Sequence, residues 1–273
     1  MSAFPEKKSR TADPWYLPTG QEEQLFETAW RVQRPILLKG PTGCGKTRFV
    51  EHMAARLQLP QVTVACHDDL SAADLVGRHL INKEGTYWVD GPLTQAVRQG
   101  GICYLDEVIE ARKDTTVILH ALTDDRRTLF IDRIGETLVA PAAFMLVISY
   151  NPGYQHALKG LKPSTRQRFI ALSFNFPPPE KEAEIIHVET GLDLQRAGRL
   201  VQLGQALRRN AQQDIEEPPG TRLLVAAADL MQQGCSASLA CRSAILESLS
   251  DDSETLDALM TVVAALFGHA ESA

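Results

Sequence analysis

The residues between Gly40 and Thr47 carry the clearest chemical pattern in the chain. They match the spacing G-x-x-x-x-G-K-[ST] in full and read Gly40, Pro41, Thr42, Gly43, Cys44, Gly45, Lys46 and Thr47. Glycines at these positions let consecutive backbone N–H groups face phosphate oxygens, and the following helix N-terminus adds a favourable dipole. Lys46 would reach the β- and γ-phosphates, and the Thr47 hydroxyl would bind Mg²⁺. The pattern therefore predicts a loop that binds ATP together with Mg²⁺.

A pair of carboxylates follows the apolar run Gly101–Leu105, about 60 residues after Lys46. A strand ending here would place Asp106 at the carboxyl edge of a sheet, beside the phosphate loop, where it can hold Mg²⁺ through water. Glu107 would then be placed to polarise an attacking water as a general base. The alternative is an acidic strand cap, but the spacing from Lys46 favours the catalytic interpretation.

An amide follows the next apolar run. Asn151 at a strand end could bind the γ-phosphate or orient the water, although Asn-Pro is also an ordinary turn dipeptide. Arg166 and Arg168 precede the last predicted strand, either as a solvated basic turn or as a finger inserted into a neighbouring subunit's nucleotide. Arg222 opens a later helix and could reach the nucleotide of its own chain or be a surface charge.

The elements that must position these residues are strands alternating with helices. Short apolar runs predict buried strands at residues 35–39, 101–105, 144–149 and 169–172, and residues 61–65 predict a further strand. Apolar residues at helical spacing fill the intervals, so we expect an α/β fold: a parallel sheet of the P-loop NTPase type with helices on both faces. After Pro177–Pro179 every periodic segment is helical, which predicts a small all-α lid at the C-terminus.

These patterns divide the chain into three parts. We expect a flexible N-terminus at 1–15, an α/β ATPase core at 16–178 and a helical lid at 179–273. Within the core, residues 77–92 break the helical pattern as an inserted loop or hairpin, and residues 128–140 predict a hairpin across Gly135.

Composition excludes several other classes of protein. The 273 residues carry 34 acidic and 28 basic side chains, a net charge of −6, which argues against nucleic acid or a membrane surface as the main partner. No apolar run approaches the roughly 20 residues of a membrane span. Five cysteines, an odd number, indicate a reduced, cytoplasmic protein.

The segment Cys66–Asp69 lacks a second ligand pair at zinc spacing, which argues against a zinc site. We expect Asp68 or Ser71 to cap the next helix instead.

The motifs in this order resemble the MoxR branch of the AAA+ superfamily, and most closely the CbbQ/NirQ/NorQ family. The resemblance covers nearly the whole chain beyond Trp15. Six segments carry it: Leu38–Glu51, Cys66–Gly77, Trp88–Thr94, Tyr104–Glu107, Ser149–Tyr154 and Lys162–Phe169.

The resemblance implies properties that spacing does not show. Family members form homo-hexameric rings, so Arg166 and Arg168 would act in trans, with Arg168 the better match to the finger and Arg222 the second sensor. The segment 77–92 would line the central face of the ring. The family also works with a partner that carries a von Willebrand A domain.

Two functional subgroups share all these motifs. CbbQ-type proteins, with a CbbO-like adaptor, remodel Rubisco to release inhibitory sugar phosphates, whereas NorQ- and NirQ-type proteins serve the maturation of nitric oxide reductase or other denitrification enzymes. We expect the first, with Rubisco as client, and keep the second as the alternative. A nucleotide-dependent switch is a further possibility, while a small-molecule kinase would need an acceptor pocket over the phosphate loop.

Overall fold

A computed structural model describes residues 14–154, 161–210 and 217–268. Residues 1–13 of the predicted flexible N-terminus lie outside the described residues. Within the described part there are nine strands: β1 (Ile36–Lys39), β2 (Gln61–Ala65), β3 (Gly77–Asn82), β4 (Gly85–Asp90), β5 (Gly101–Asp106), β6 (Thr128–Ile131), β7 (Glu136–Val139), β8 (Phe144–Tyr150) and β9 (Ile170–Ser173).

Eleven α-helices accompany these strands in the same described ranges. They are α1 (Glu22–Arg31), α2 (Lys46–Leu57), α3 (Ala72–Val76), α4 (Pro92–Gln99), α5 (Lys113–Ile118), α6 (Pro163–Arg166), α7 (Pro179–Thr190), α8 (Leu194–Asn210), α9 (Thr221–Gln232), α10 (Ala237–Ala244) and α11 (Ser253–Phe267).

The described residues form two compact units. The first comprises the described residues up to Gly40 together with Lys46–Phe174, and the second comprises Pro41–Gly45 together with the described residues from Asn175 onward. The boundary expected from the sequence between 178 and 179 stays a prediction.

The first unit is built on a five-stranded parallel sheet in the order β2-β5-β8-β1-β9. All seven residues of β8 are buried, as expected for a strand with neighbours on both sides and helices over both faces. Because β5, β8 and β1 are adjacent and parallel, their carboxyl ends meet at one edge of the sheet. The α/β fold class expected from the sequence is confirmed.

Both faces of the sheet are covered by apolar side chains. On one face Leu37 of β1 belongs to a buried cluster with Leu75 of α3 and Leu93 of α4. On the other, the ring of Phe49 in α2 packs edge-on against Phe26 of α1 with centroids 5.5 Å apart. Strand β5 contacts both α4 and α2, as expected when alternate residues of a strand face opposite sides of the sheet.

Two antiparallel hairpins extend the first unit. β3 pairs with β4, and β6 pairs with β7, at the segments where the sequence predicts an insert and a hairpin. The first hairpin begins at Gly77, where φ is +139° and a Cβ would lie 2.5 Å from the Trp88 ring. A side chain at Gly77 would therefore separate the two strands at their base.

The second unit contains the five helices α7–α11 around a separate apolar core. Ile186, Leu200, Leu224 and Phe267 from four of these helices belong to one buried cluster. The helical C-terminal region agrees with the expected all-α lid.

Two helices are shorter than their apolar periodicity predicts. Apolar residues at helical spacing run from 115 to 123 and from 237 to 249. However, α5 ends at Ile118 and α10 ends at Ala244, and a 3-10 turn follows each helix. In each case apolar spacing continues through the turn, so periodicity alone does not reveal the change of helix type.

Candidate functional site

The loop after β1 requires glycine at several positions. A Cβ at Gly40 would lie 2.5 Å from the carbonyl oxygen of Phe174, so no side chain fits there. Gly43 and Gly45 have φ angles of +72° and +98°, in the left-handed region that glycine adopts without strain. Helix α2 begins at Lys46 directly after the loop. This turn has the backbone geometry of an anion-binding loop at a helix N-terminus.

The Lys46 side chain lies against this loop. It is buried, and its Nζ donates a hydrogen bond to the carbonyl oxygen of Gly40 at 2.9 Å. A buried ammonium needs acceptors, and the loop supplies one of them. Phosphate oxygens are stronger acceptors for the same group, because the hydrogen bond would then join opposite charges.

Asp106 lies at the end of β5 among three hydroxyl donors. Thr47 Oγ1 donates to its Oδ2 at 3.2 Å, and the Tyr104 phenol donates to its Oδ1 at 2.7 Å. Ser149 on the neighbouring strand β8 donates a short hydrogen bond to the same Oδ1. A threonine hydroxyl beside a carboxylate is the hard oxygen set that Mg²⁺ prefers, so the residues present fit that ion.

Neutral groups border the carboxylates. Burial raises the pKa of Tyr104 well above its usual value, and the negative charge of Asp106 raises it further. Burial, together with Asp106 and Glu107, raises the pKa of the Cys66 thiol to about 12. Both side chains therefore stay uncharged near neutral pH, and the negative potential of the carboxylate pair is left for a cation.

Glu107 has a backbone conformation that is rare for a residue with a side chain. Its φ is +55° and its ψ is +48°, so the chain turns sharply at the end of β5. The Glu107 N–H donates to Ser149 Oγ at 3.0 Å, so one hydroxyl orients both acidic residues. Such strain in a rigid setting is typical of functional positions.

Asn151 follows β8 at the same edge of the sheet and is buried. Its Oδ1 accepts a hydrogen bond from the Gly153 N–H at 3.0 Å, across the 3-10 turn Pro152–Tyr154. The turn interpretation and the sensing interpretation are therefore compatible, because the turn orients the amide at the edge where β5 and β1 also end.

The two arginines before β9 differ in their surroundings. Arg166 ends α6 and is exposed. Arg168 is partly buried, with 36% of its side chain exposed, and its Nη1 donates to the His120 carbonyl at 3.2 Å and lies 3.6 Å from Asp124 Oδ2. His120 in turn contacts Thr165 Oγ1 at 3.2 Å. These contacts hold Arg168 in one direction, whereas Arg166 faces solvent.

Charge interactions around Arg168 are visible in two pKa shifts. Desolvation lowers the pKa of His120, and the positive charge of Arg168 lowers it further. A hydrogen bond from Arg126 lowers the pKa of Asp124 to about 2, with Arg168 adding to the effect. The Asp124 carboxylate is therefore shared between two guanidinium groups.

Arg222 lies in the second unit as the second residue of α9 and is exposed. The start of this helix lies against the loop residues of the same unit, since a Cβ placed on Gly43 would be 3.0 Å from Gly220 Cα and 3.7 Å from Arg222 Cβ. The Arg222 backbone is therefore adjacent to the phosphate-loop segment.

The structure thus brings Thr47, Asp106 and Glu107 together. Sequence reasoning assigned no role to several residues that orient the site: Tyr104, Ser149, His120 and Asp124. Tyr104 precedes Asp106 by two residues, and the period-2 alternation of a strand could have placed it on the same face. No local pattern marks Ser149, His120 or Asp124, which reach their partners through tertiary structure.

The segment Cys66–Asp69 does not form a metal site in the described structure, where no cluster of three metal-binding side chains occurs. Ser71 is instead the N-cap of α3, and its N–H donates to Asp74 at 3.1 Å. Among the described residues, no helix has both the length and the apolar character that crossing a membrane requires.

Two stretches of the chain match known protein families. Residues 35–169 match the family described as AAA domain (dynein-related subfamily), and residues 182–266 match the family described as CbbQ/NirQ/NorQ C-terminal. A solved RuvB variant from Thermotoga maritima superposes with a TM-score of 0.52 at 18% identity, covering 89% of this chain and 70% of that chain. At this identity the likeness shows the fold alone.

Three curated relatives align over almost the whole chain. The denitrification regulatory protein NirQ of Stutzerimonas stutzeri is 62% identical, covering 93% of each chain. Protein NorQ of Paracoccus denitrificans is 59% identical, covering 93% of this chain and 94% of the relative. Protein CbbQ of Hydrogenophilus thermoluteolus is 50% identical, covering 94% and 96%.

The order of these identities does not support the expectation of Rubisco activation, because the NirQ and NorQ relatives are more similar than the CbbQ relative. All three relatives are named for this family. Membership of the family, together with the fold, establishes ATP hydrolysis as the activity of the chain. The chain is an ATP-hydrolysing member of the CbbQ/NirQ/NorQ family of AAA+ ATPases.

Proposed function

We propose that this chain is a NirQ/NorQ-type ATPase that uses ATP hydrolysis to remodel a client enzyme of denitrification. The observation that carries the proposal is the identity of 62% to NirQ and 59% to NorQ, against 50% to CbbQ, over the same length of chain. The motifs named above do not distinguish the CbbQ-type subgroup from the NirQ/NorQ-type subgroup, so the proposal rests on overall sequence identity.

The nucleotide would bind at the loop Gly40–Thr47, with the Lys46 ammonium exchanging the Gly40 carbonyl for phosphate oxygens. Thr47 and Asp106, already in contact, would hold Mg²⁺, directly and through water respectively. When bound, the ion supplies charge neutralisation at the β- and γ-phosphates. The role of these residues before hydrolysis is to fix the phosphates in one orientation.

Glu107 would act as the general base for the attacking water. Its left-handed backbone and its hydrogen bond to Ser149 direct the residue away from the line of β5. Asn151, at the end of the adjacent strand, would orient the same water or bind the γ-phosphate. Both residues lie at the edge where Asp106 is anchored, which supports a single hydrolytic centre.

Arg168 would complete the site of a neighbouring subunit in a homo-hexameric ring. A planar guanidinium held by His120 and Asp124 is better positioned than the solvent-facing Arg166 to reach across an interface in a fixed direction. Arg222 would sense the γ-phosphate from the same chain. We therefore assign the finger to Arg168 and leave Arg166 with a supporting surface role.

The ring would act on its client together with an adaptor that carries a von Willebrand A domain. The two hairpins expose large apolar side chains, with Ile81 82% and Val139 71% accessible, and these surfaces would face protein partners. We place the hairpin 77–92 on the central face of the ring.

The test of this function is the maturation of nitric oxide reductase in cells that lack their own family member. Co-expression of this chain with its von Willebrand A partner should restore reductase activity, and Glu107→Gln in the same ring should not. Failure of the wild-type pair here, combined with ATP-dependent reactivation of inhibited Rubisco, would overturn the proposal in favour of the CbbQ-type function.

A further inference from the structure

A side chain with a carboxyl group is buried in the second unit. Glu182 of α7 is fully buried, with an exposed fraction of 0%. Its carboxylate receives two hydrogen bonds from Arg208 of α8, at 2.8 and 2.7 Å. The geometry is the paired, two-pronged contact that fixes a carboxylate most firmly.

A third residue joins this pair to the start of α9. Thr221 Oγ1 donates to Glu182 Oε1 at 2.7 Å, and Arg208 Nε donates to the carbonyl oxygen of Pro219 at 2.9 Å. The Arg208 guanidinium also lies over the Phe176 ring, 3.8 Å from its centroid. We call Glu182, Arg208 and Thr221 the Glu182 cluster; it holds the chain on both sides of Gly220.

Gly220 is the point at which this segment meets the phosphate loop. A Cβ on Gly220 would lie 2.8 Å from Gly43 Cα and 2.8 Å from the Thr42 carbonyl oxygen, so the two backbones are in direct contact. No side chain intervenes that could absorb a displacement. A shift of the Pro219–Thr221 segment would therefore alter the conformation of the loop.

Fold stability alone does not account for such a cluster. The helices around it already share an apolar core that includes Ile186 and Leu224. A buried ion pair adds little net stability in general, because removing both charges from water offsets their attraction. What the cluster does define is the position of one short backbone segment.

We propose that the Glu182 cluster is a positioning device for the phosphate loop: it holds Gly220 against Thr42 and Gly43 and so sets nucleotide affinity. The inference rests on the proposed role of Gly40–Thr47 in binding phosphates. It makes Glu182, Arg208 and Thr221 positioning residues, none of which needs to touch the nucleotide.

The test measures the affinity of the full-length protein for fluorescent ATP and ADP analogues, together with its thermal midpoint. Thr221→Val removes only the hydrogen bond to Glu182 and should weaken both nucleotides by about tenfold, the scale of one hydrogen bond to a charged group. Thr221→Ser keeps the hydroxyl and should restore affinity. Arg208→Lys keeps the charge but loses the paired contact, and should weaken binding in the same way.

A matched control lies in the same unit. The Thr190 hydroxyl donates to the Ile186 carbonyl at 2.7 Å and accepts from the Leu192 N–H at 3.1 Å, so Thr190→Val removes hydroxyl hydrogen bonds at the end of α7 that do not involve the Glu182 cluster. We expect Thr190→Val to lower the thermal midpoint without changing affinity. If Thr221→Val and Arg208→Lys behave like this control, the cluster is only structural and the inference is wrong.

Two further outcomes separate the inference from its premise. Weaker binding of ATP but not of ADP in Thr221→Val would assign the effect to displacement of Arg222 and would overturn the loop mechanism, since the loop holds phosphates that both nucleotides share. Unchanged affinity in Lys46→Ala would overturn the phosphate-loop assignment itself. Weak binding in Lys46→Ala with normal binding in Thr221→Val would refute only the positioning role.

Discussion

Ser149 offers a sharp test of the hydrolytic centre, because one hydroxyl serves both acidic residues. In Ser149→Ala, Asp106 loses one of its three hydroxyl donors, and the Glu107 N–H loses its acceptor in a buried setting. A hydrogen bond to a charged group contributes about 1.5–3 kcal/mol, which corresponds to roughly 10- to 100-fold in rate if it acts in the transition state. We expect kcat for ATP hydrolysis to fall within that range.

The affinity for nucleotide should remain close to that of the wild type, because Lys46 and the loop are untouched. Steady-state ATPase assays with a titration of Mg²⁺ separate the two effects. If the variant needs a higher Mg²⁺ concentration for half-maximal activity, the loss lies at Asp106. Ser173→Ala is the matched control, since Ser173 also ends a strand of the same sheet but is exposed. Unchanged turnover in a folded Ser149→Ala protein would refute the argument that Ser149 orients the pair.

Three other predictions concern the same unit. Glu107→Gln should bind ATP with normal affinity but lose at least about 100-fold in hydrolysis, as expected when a general base is removed, and unimpaired turnover would exclude Glu107 from the mechanism. Asp124→Asn should release Arg168 from its ion pair and lower kcat several-fold, with little change in nucleotide affinity. The control is Arg126→Gln, which removes the other guanidinium at Asp124 and leaves the Arg168 ion pair intact. Cys66, with a pKa of about 12, should resist alkylation at pH 8, when Cys235 reacts first.

The same thiol shift fixes the sign of a stability change. The pKa of Cys66 rises from 9.0 in the reference thiol to about 12, so above pH 9 the unfolded chain loses a proton that the folded chain retains. The free energy of unfolding should therefore fall as pH rises from 9 towards 12. Urea titrations of the wild type and of Cys66→Ala at pH 8 and pH 10.5 measure this change. The free energy of unfolding of the wild type, relative to that of Cys66→Ala, should be lower at pH 10.5 than at pH 8.

The local part of the site could be predicted from the sequence. The glycines of the loop, Lys46, and the carboxylates after β5 are set by short-range rules, since a strand end, a tight turn and a helix start are each encoded by a few neighbouring residues. The same holds for β1 and β5, because their apolar runs lie next to proline or glycine in the sequence. The fold class followed from the alternation of the predicted strands with helices.

The supporting contacts could not be predicted. Ser149 meets Asp106 only because β8 lies beside β5, and strand order is not encoded in either strand. Likewise, His120 and Asp124 reach Arg168 across more than 40 residues of sequence. The proposed client could not be predicted for a different reason. The motifs serve ATP hydrolysis, which the subgroups share, so they do not indicate on which protein the proposed remodelling would act.

In the proposed mechanism, ATP is hydrolysed at a site that Arg168 of a neighbouring subunit completes, and a mixture of two inactive variants tests this arrangement. Arg168→Ala subunits keep the phosphate loop but lack the finger, whereas Lys46→Ala subunits keep the finger but lack nucleotide. At equal mixing, roughly a quarter of the interfaces in a ring would join an intact loop to an intact finger. We expect ATPase activity to reappear in the mixture and to be highest near equal amounts of the two variants. Complete inactivity at every mixing ratio, in rings shown to contain both variants, would exclude a role for Arg168 in the site of a neighbouring subunit.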